Sequence, residues 1–224
     1  MFRLITIERE YGCGGSAIAK RVANRLSWAL WDQQLTSEVA RLAKCERSEV
    51  EIREERVDPL YYRLLKSVLR GSFEGGLNLH RLRCLDAESM FRITKQITEK
   101  LASSGNCVIV GRGSSYHLRH RTDTLRIFLF APREEKVRRL TTEGISQAEA
   151  EALVDTVDTE RADFVAKYFH QPWPDRHLYD AMLNTHAGEE LVTATILDLK
   201  ERLGRTGSRP SLGMPRRSHN GTFL

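Results

Sequence analysis

The sequence predicts an α/β protein: a parallel sheet with helices on both faces, three layers in all. Three observations carry this. Short apolar runs at 2–8, 107–110 and 125–130 have the character of strands buried on both sides. Stretches with helical apolar spacing separate them. Hydrophobic residues make up 41% of the 224 and charged residues 29%, enough for a sizeable core and against wholesale disorder.

Residues 2–8 form the first strand, with Phe2, Leu4, Ile5 and Ile7 around Thr6. A glycine cluster follows at once, Gly12-Cys13-Gly14-Gly15-Ser16, and then Ile18, Val22 and Leu26 mark one face of a helix. Trp28 to Trp31 is a second short strand ending in Asp32, with a helix expected over Val39, Leu42 and Ala43. Residues 46–86 are the least regular and predict a helical insert over one end of the sheet, broken by Gly71, Gly75 and Gly76. Met90, Ile93, Ile97 and Leu101 predict a helix over 87–103.

Cys107 to Val110 is a fully apolar strand ending in Gly111-Arg112-Gly113. Leu125 to Phe130 is another, stopped by Pro132 and followed by a helix through Val137 and Leu140. Ser146 and Glu149 have capping-box spacing ahead of a long helix, which Pro172-Trp173-Pro174 ends. Tyr179 to Thr185 is the last strand, and Leu191 to Leu203 the last helix, ending at Gly204. Residues 1–203 then form one domain, and 204–224 a disordered basic tail with four arginines and no acid.

The net charge is +5, from 27 Arg and 8 Lys among the basic residues, but residues 1–203 carry only +1 of it. A nucleic-acid reading rests on the pI and the tail alone and has no reader motif, so it ranks last. Cys13, Cys45, Cys84 and Cys107 show no metal-binding spacing and suggest free thiols in a reducing, cytoplasmic compartment. His117 and His120 lack a third ligand and are expected to be surface imidazoles. No apolar run approaches the ~20 residues of a membrane span, and the acidic Glu8 comes too soon for a signal peptide.

Ligands of parallel sheets bind beyond the carboxyl ends of the strands, so residues 9–16, 32–36, 111–116 and 131–139 are the informative ones. The glycine turn at the start of a helix is a phosphate cradle in form. Laid on Arg9 to Ser16, the pattern G-x-x-x-x-G-K-[ST] fits at Gly14 and Ser16 and departs at Arg9, in place of the first glycine, and at Gly15, in place of the lysine. Arg9 is the nearest candidate to supply the missing cation, ahead of Lys20.

Thr6-Ile7-Glu8-Arg9-Glu10-Tyr11-Gly12-Cys13-Gly14-Gly15-Ser16-Ala17-Ile18-Ala19 resembles the opening of the cytidylate kinase-like family. The resemblance continues, in order, in Leu30-Trp31-Asp32, Val108 to Gly113, Phe128 to Pro132, Arg138-Arg139, Asp158 to Ala162 and Tyr179 to Thr185. It implies a P-loop, nucleoside monophosphate kinase-like fold with a helical lid at 145–175. It also implies transfer of the γ-phosphate of ATP, with Mg²⁺, to CMP or dCMP.

On the same resemblance Arg112 matches an arginine that grips the acceptor phosphate, and Gly113 departs from the aspartate beside it. Arg161 matches a lid arginine, with Asp158 three residues before it on one helical face. The candidate catalytic set is therefore Arg9, Arg112, Arg161 and Asp158. The nucleotide-binding set is Gly12, Cys13, Gly14, Gly15, Ser16, Ala17 and Arg138, and Ser16 and Asp32 are the Mg²⁺ candidates. Asp32 fits equally as a cap for a helix from Gln33, Arg138 as part of a solvated helix face, and Asp158 with Arg161 as a surface pair. Nucleotide substrates are the expected partners. The alternatives are a non-catalytic nucleotide-binding sensor, or a kinase for a different small phosphorylated acceptor.

Overall fold

The computed structural model describes residues 1–32 and 87–205. In chain order these form β1 (Leu4–Arg9), α1 (Gly15–Leu26), β2 (Ala29–Trp31), α2 (Ala87–Ser104), β3 (Cys107–Val110) and α3 (Ser114–His117). β4 (Thr124–Phe130), α4 (Arg133–Thr142), α5 (Gln147–Phe169), β5 (Ala181–Asn184), a 3₁₀ turn (Thr185–Ala187) and α6 (Glu189–Arg205) follow. The five strands lie in the order β2-β3-β1-β4-β5, and every neighbouring pair is parallel. β1 is central: Leu4 is in register with Cys107 on one side and Thr124 on the other. All six of its residues are buried, as a strand covered on both faces requires.

The period of two divides β1 between the faces. Ile5 and Ile7 join Ile18, Val22, Val192 and Ile196 in one core, so α1 and α6 cover that side. On the other side Ser115 of α3 donates from its hydroxyl to Thr6 Oγ1 at 2.8 Å. There Tyr116, Phe128, Val165 and Tyr179 pack as a second core. α4 and α5 pack together through Val137, Leu140, Leu153, Val154 and Val157. The Ser146 hydroxyl accepts from the Glu149 N–H at 3.4 Å, which caps α5 as the spacing predicts.

Two expectations change. α6 continues through Gly204 to Arg205, because the Gly204 backbone lies beside Phe2 and nothing in the packing breaks the helix there. His117 is not a surface imidazole: its ring packs 5.1 Å from Phe91 and 4.8 Å from Phe169. Burial pulls its pKa down to about 3. Trp173 stacks edge-on against Phe128 at 5.4 Å, as a packing anchor should. The helix expected after Asp32, the 46–86 insert, Cys45, Cys84 and residues 206–224 lie outside the described residues. Among the described residues no helix is long and apolar enough to cross a membrane, and no His, Cys, Asp and Glu group has a metal-binding arrangement.

Candidate functional site

β1 delivers the chain into a turn that needs glycine at two points. Gly12 and Gly14 have φ of 73° and 77°, in the left-handed region that side chains avoid. A Cβ on Gly14 would also sit 2.9 Å from the Arg139 guanidinium. Gly14 is the N-cap of α1, and no side chain caps that helix among the described residues. Its first N–H groups are therefore available to an anion. Over the turn opens a cleft of ≈ 690 Å³ lined by Gly12, Cys13, Gly14, Gly15, Ser16 and Ala17. Arg9, Arg138, Arg139 and Arg161 also line it, so four guanidinium groups surround a helix N-terminus.

Arg9 leaves the end of β1 on the α1 side and is buried. Its Nη2 donates to Asp32 Oδ1 at 3.3 Å. A Cβ on Gly15 would lie 2.8 Å from Arg9 Cδ and 3.1 Å from Arg9 Cβ, and one on Gly111 would lie 2.8 Å from Arg9 Nη1. The side chain thus runs beneath the start of α1 and reaches the loop after β3. It fills the space that a side chain at position 15 would enter.

Arg161 comes from α5 and is 9% exposed. Its Nη1 donates to the Arg9 carbonyl at 2.7 Å and to Asp158 Oδ1 at 3.1 Å. Burial, and after it the neighbouring Arg9 charge, hold it below the usual guanidinium range. Asp158 does not line the cleft. It lies behind the turn, where Oδ1 accepts from the Tyr11 N–H at 2.8 Å and Oδ2 from Lys136 Nζ at 3.3 Å. Lys136 also pairs with Glu10 at 3.0 Å. This buried network joins the turn to α4 and α5.

Arg138 stands at the cleft rim, exposed and paired with Glu135 at 2.7 Å. Arg139 reaches further in. It donates to the Cys13 carbonyl and, at 2.9 Å, to the Thr185 hydroxyl, which itself donates to the same carbonyl at 2.6 Å. Burial pushes the Cys13 thiol up to about 11, so it is no nucleophile at neutral pH.

Arg112 lines a second, small cavity of ≈ 20 Å³ with Glu8, Arg9, Gly113, Arg161, Phe164 and Trp173. Arg112 itself has φ of 62° and is 8% exposed. Gly113 has φ of 67°, and a Cβ there would lie 2.7 Å from the Phe169 ring, so no side chain fits. Glu8 is 5% exposed, and burial raises its pKa above the usual value despite Arg9 and Arg161 nearby.

The structure therefore brings together Arg9, the 12–17 turn, Arg138 and Arg161 around one cleft, with Arg112 in the adjoining cavity. Asp32 enters through its ion pair with Arg9 and Asp158 through the network behind the turn. Sequence reasoning placed Arg138 and Arg139 together at the strand-to-helix turn but kept only Arg138 for the nucleotide-binding set, and it did not single out Glu8. Arg139 shares its helix turn with the selected Arg138, and only the fold shows which of them points inward. Glu8 did carry a signal: it is an acid in an otherwise buried strand.

The model of the cytidylate kinase-like family matches residues 4–187. No curated protein matches the chain. Among solved structures, an uncharacterized protein from Eubacterium ventriosum superposes with a TM-score of 0.65 at 20% identity, over 90% of this chain and 99% of that one. It shares the fold. TT1252 from Thermus thermophilus has a TM-score of 0.48 at 21% identity, over 89% and 97% of the two chains. Shikimate kinase from Bacteroides thetaiotaomicron has 0.46 at 15%, over 90% and 98%.

Proposed function

The chain belongs to the cytidylate kinase-like family, and on that premise we propose that it is an ATP-dependent phosphotransferase. ATP binds with its phosphates over the Gly12–Ala17 turn, and the acceptor enters by the small cavity at Arg112. The observation that carries this reading is the set of four guanidinium groups around an uncapped helix N-terminus in one cleft. Phosphoryl transfer asks for positioning and for cations around the group in flight, more than for covalent chemistry.

The residues present fit a nucleotide and its metal. Side chains at 12 and 14 would press on Leu140, Lys136 and Arg139 of α4, so the turn keeps its shape with glycine there. Ser16 lines the cleft and Asp32 ends β2 beside Arg9, and their oxygens are the hard donors Mg²⁺ takes. Ser16 and Asp32 would hold the ion, which when bound draws charge from the phosphate oxygens. Arg9 supplies the cation that the usual lysine supplies elsewhere. It is fixed by Asp32 and by the start of α1. Arg161 spans the two cavities and sits where charge passes from donor to acceptor. α5 carries Arg161 over the cleft and, as a lid, would exclude water, the competing acceptor.

CMP, the acceptor implied by the family resemblance, is one arm of the test. Purified protein is incubated with ATP, Mg²⁺ and separately with CMP, other nucleoside monophosphates and a set of small hydroxyl compounds, and ADP is followed. Acceptor-dependent ADP above the rate in water alone is the expected result. ATP binding without turnover for any acceptor would make the protein a nucleotide-binding sensor instead.

A further inference from the structure

We propose that the accepting group is a hydroxyl and that Glu8 is the catalytic base that takes its proton. The proposal rests on the phosphotransferase reading above and names the substrate class for that site.

Placement comes first. The alternation of β1 sends Glu8 to the α3 and α5 side, opposite Ile7, at the carboxyl end of the central strand. Glu8 lines the small cavity with Arg112. Arg9 and Arg161 line both that cavity and the large cleft. The acid and the phosphate cradle therefore share Arg9 and Arg161 as neighbours.

The carboxylate is also left with a free side. Its two hydrogen bonds come from the Ser114 hydroxyl at 3.4 Å and the Ser115 N–H at 3.5 Å, and both fall on Oε1. Among the described residues Oε2 has no hydrogen-bond partner and no cation forms an ion pair with Glu8. The groups that face it are Arg9 on its own strand, Arg161 on α5, Ser114 and Ser115 on α3, and the phenols of Tyr116 and Tyr179. Burying an acid in this way is unfavourable unless something recovers the loss.

Size and the need for a base point to the same acceptor. A cavity of ≈ 20 Å³ holds one water-sized group. A hydroxyl arm fits it. A phosphate acceptor would meet the guanidinium groups of Arg9, Arg112 and Arg161 there, but it would gain nothing from the carboxylate among them. It would also have no use for a base, since its second pKa is about 6. A hydroxyl, like water with a pKa of about 15.7, must lose its proton as it reacts.

The step balances. The hydroxyl oxygen forms a bond to the γ-phosphorus, and the bond from that phosphorus to the β–γ bridging oxygen breaks. ADP leaves with that electron pair. The O–H pair stays on the attacking oxygen, and the proton passes to Glu8 Oε2.

The test compares the full-length protein with Glu8→Gln and Glu8→Asp, using CMP, cytidine and a set of anionic and neutral polyols as probes. ³¹P NMR identifies the product. The expected result is a new phosphate monoester from a hydroxyl probe. Glu8→Gln is expected to lower kcat about 100-fold with ATP binding unchanged within about twofold, and Glu8→Asp to retain part of the rate. Wild-type kcat should rise with pH as Glu8 ionises, and that rise should vanish in Glu8→Gln. Turnover of CMP to CDP, or a hydroxyl reaction indifferent to Glu8→Gln, overturns the proposal and leaves the phosphotransferase reading intact. ATP binding with no turnover of any probe overturns both.

Discussion

The Arg9 side chain occupies the space beneath Gly15, where an added Cβ would come within 2.8 Å of Cδ. The contact is with the root of the side chain as well as its middle, so Arg9 cannot simply swing aside. Restoring the usual phosphate-loop lysine by Gly15→Lys should therefore fail. We expect a loss of about 1–3 kcal/mol in stability from overpacking and ATP binding weakened about tenfold or more. Arg9→Gly combined with Gly15→Lys should recover both. Calorimetric titration and thermal melting of the single and double variants measure the coupling, and simple additivity would refute the exchange of one cation for the other.

Gly113→Asp should likewise be harmful. Its backbone φ is 67° and its Cβ would lie 2.7 Å from the Phe169 ring. Strain and overlap together predict a loss of about 2 kcal/mol, or a melting temperature lower by roughly 4–8 °C. A variant melting with the wild type would show that the α5 end yields freely.

These two positions show what was legible in the sequence. The strand and helix order followed from apolar period alone, and the glycine turn from its place after β1. Arg9 and Gly15 were both visible as departures from a pattern. That the two departures are one fact, a side chain filling the space the other leaves, required coordinates. Asp158 shows the opposite failure. Its spacing to Arg161 was legible, but its contact with the Tyr11 N–H spans 147 residues and has no local signature. His117 was misread because its aromatic partners Phe91 and Phe169 are distant in sequence, and the local sequence gives no clue to the cluster that folds over it.

Lys136 holds two carboxylates, Glu10 at 3.0 Å and Asp158 at 3.3 Å, with its own side chain 9% exposed. Lys136→Met keeps the stem and removes the charge. It leaves two acids facing each other behind the turn, and should cost about 3–5 kcal/mol. Lowering the pH to protonate an acid should restore part of that stability, which melting of the variant across pH tests directly. A variant that melts like the wild type at neutral pH would show that the network adds nothing.

Glu8 predicts a pH dependence of stability with a definite sign. Its folded pKa is raised above the usual 4.5, so the folded state favours the protonated form. The stability it contributes is fully present below about 4.5 and is lost as pH rises through the folded value. Glu8→Gln, a permanently neutral isostere, should therefore melt higher than the wild type near neutral pH, with the difference closing in acid. A lower melting temperature at neutral pH would mean the carboxylate is a stabilising group. Higher stability together with lost turnover would separate the chemical role of Glu8 from any role in folding.

The hydrogen bond from Thr185 to the Cys13 carbonyl has a consequence for how the protein is made. The turn leaves the ribosome well before this partner, which lies 172 residues later. Arg139, the other donor to that carbonyl, is itself 126 residues downstream. Nascent chains halted before β5 should thus carry a complete glycine sequence and an unfinished nucleotide site. ATP would bind, and begin to stabilise the protein, only once β5 and the turn after it have been made.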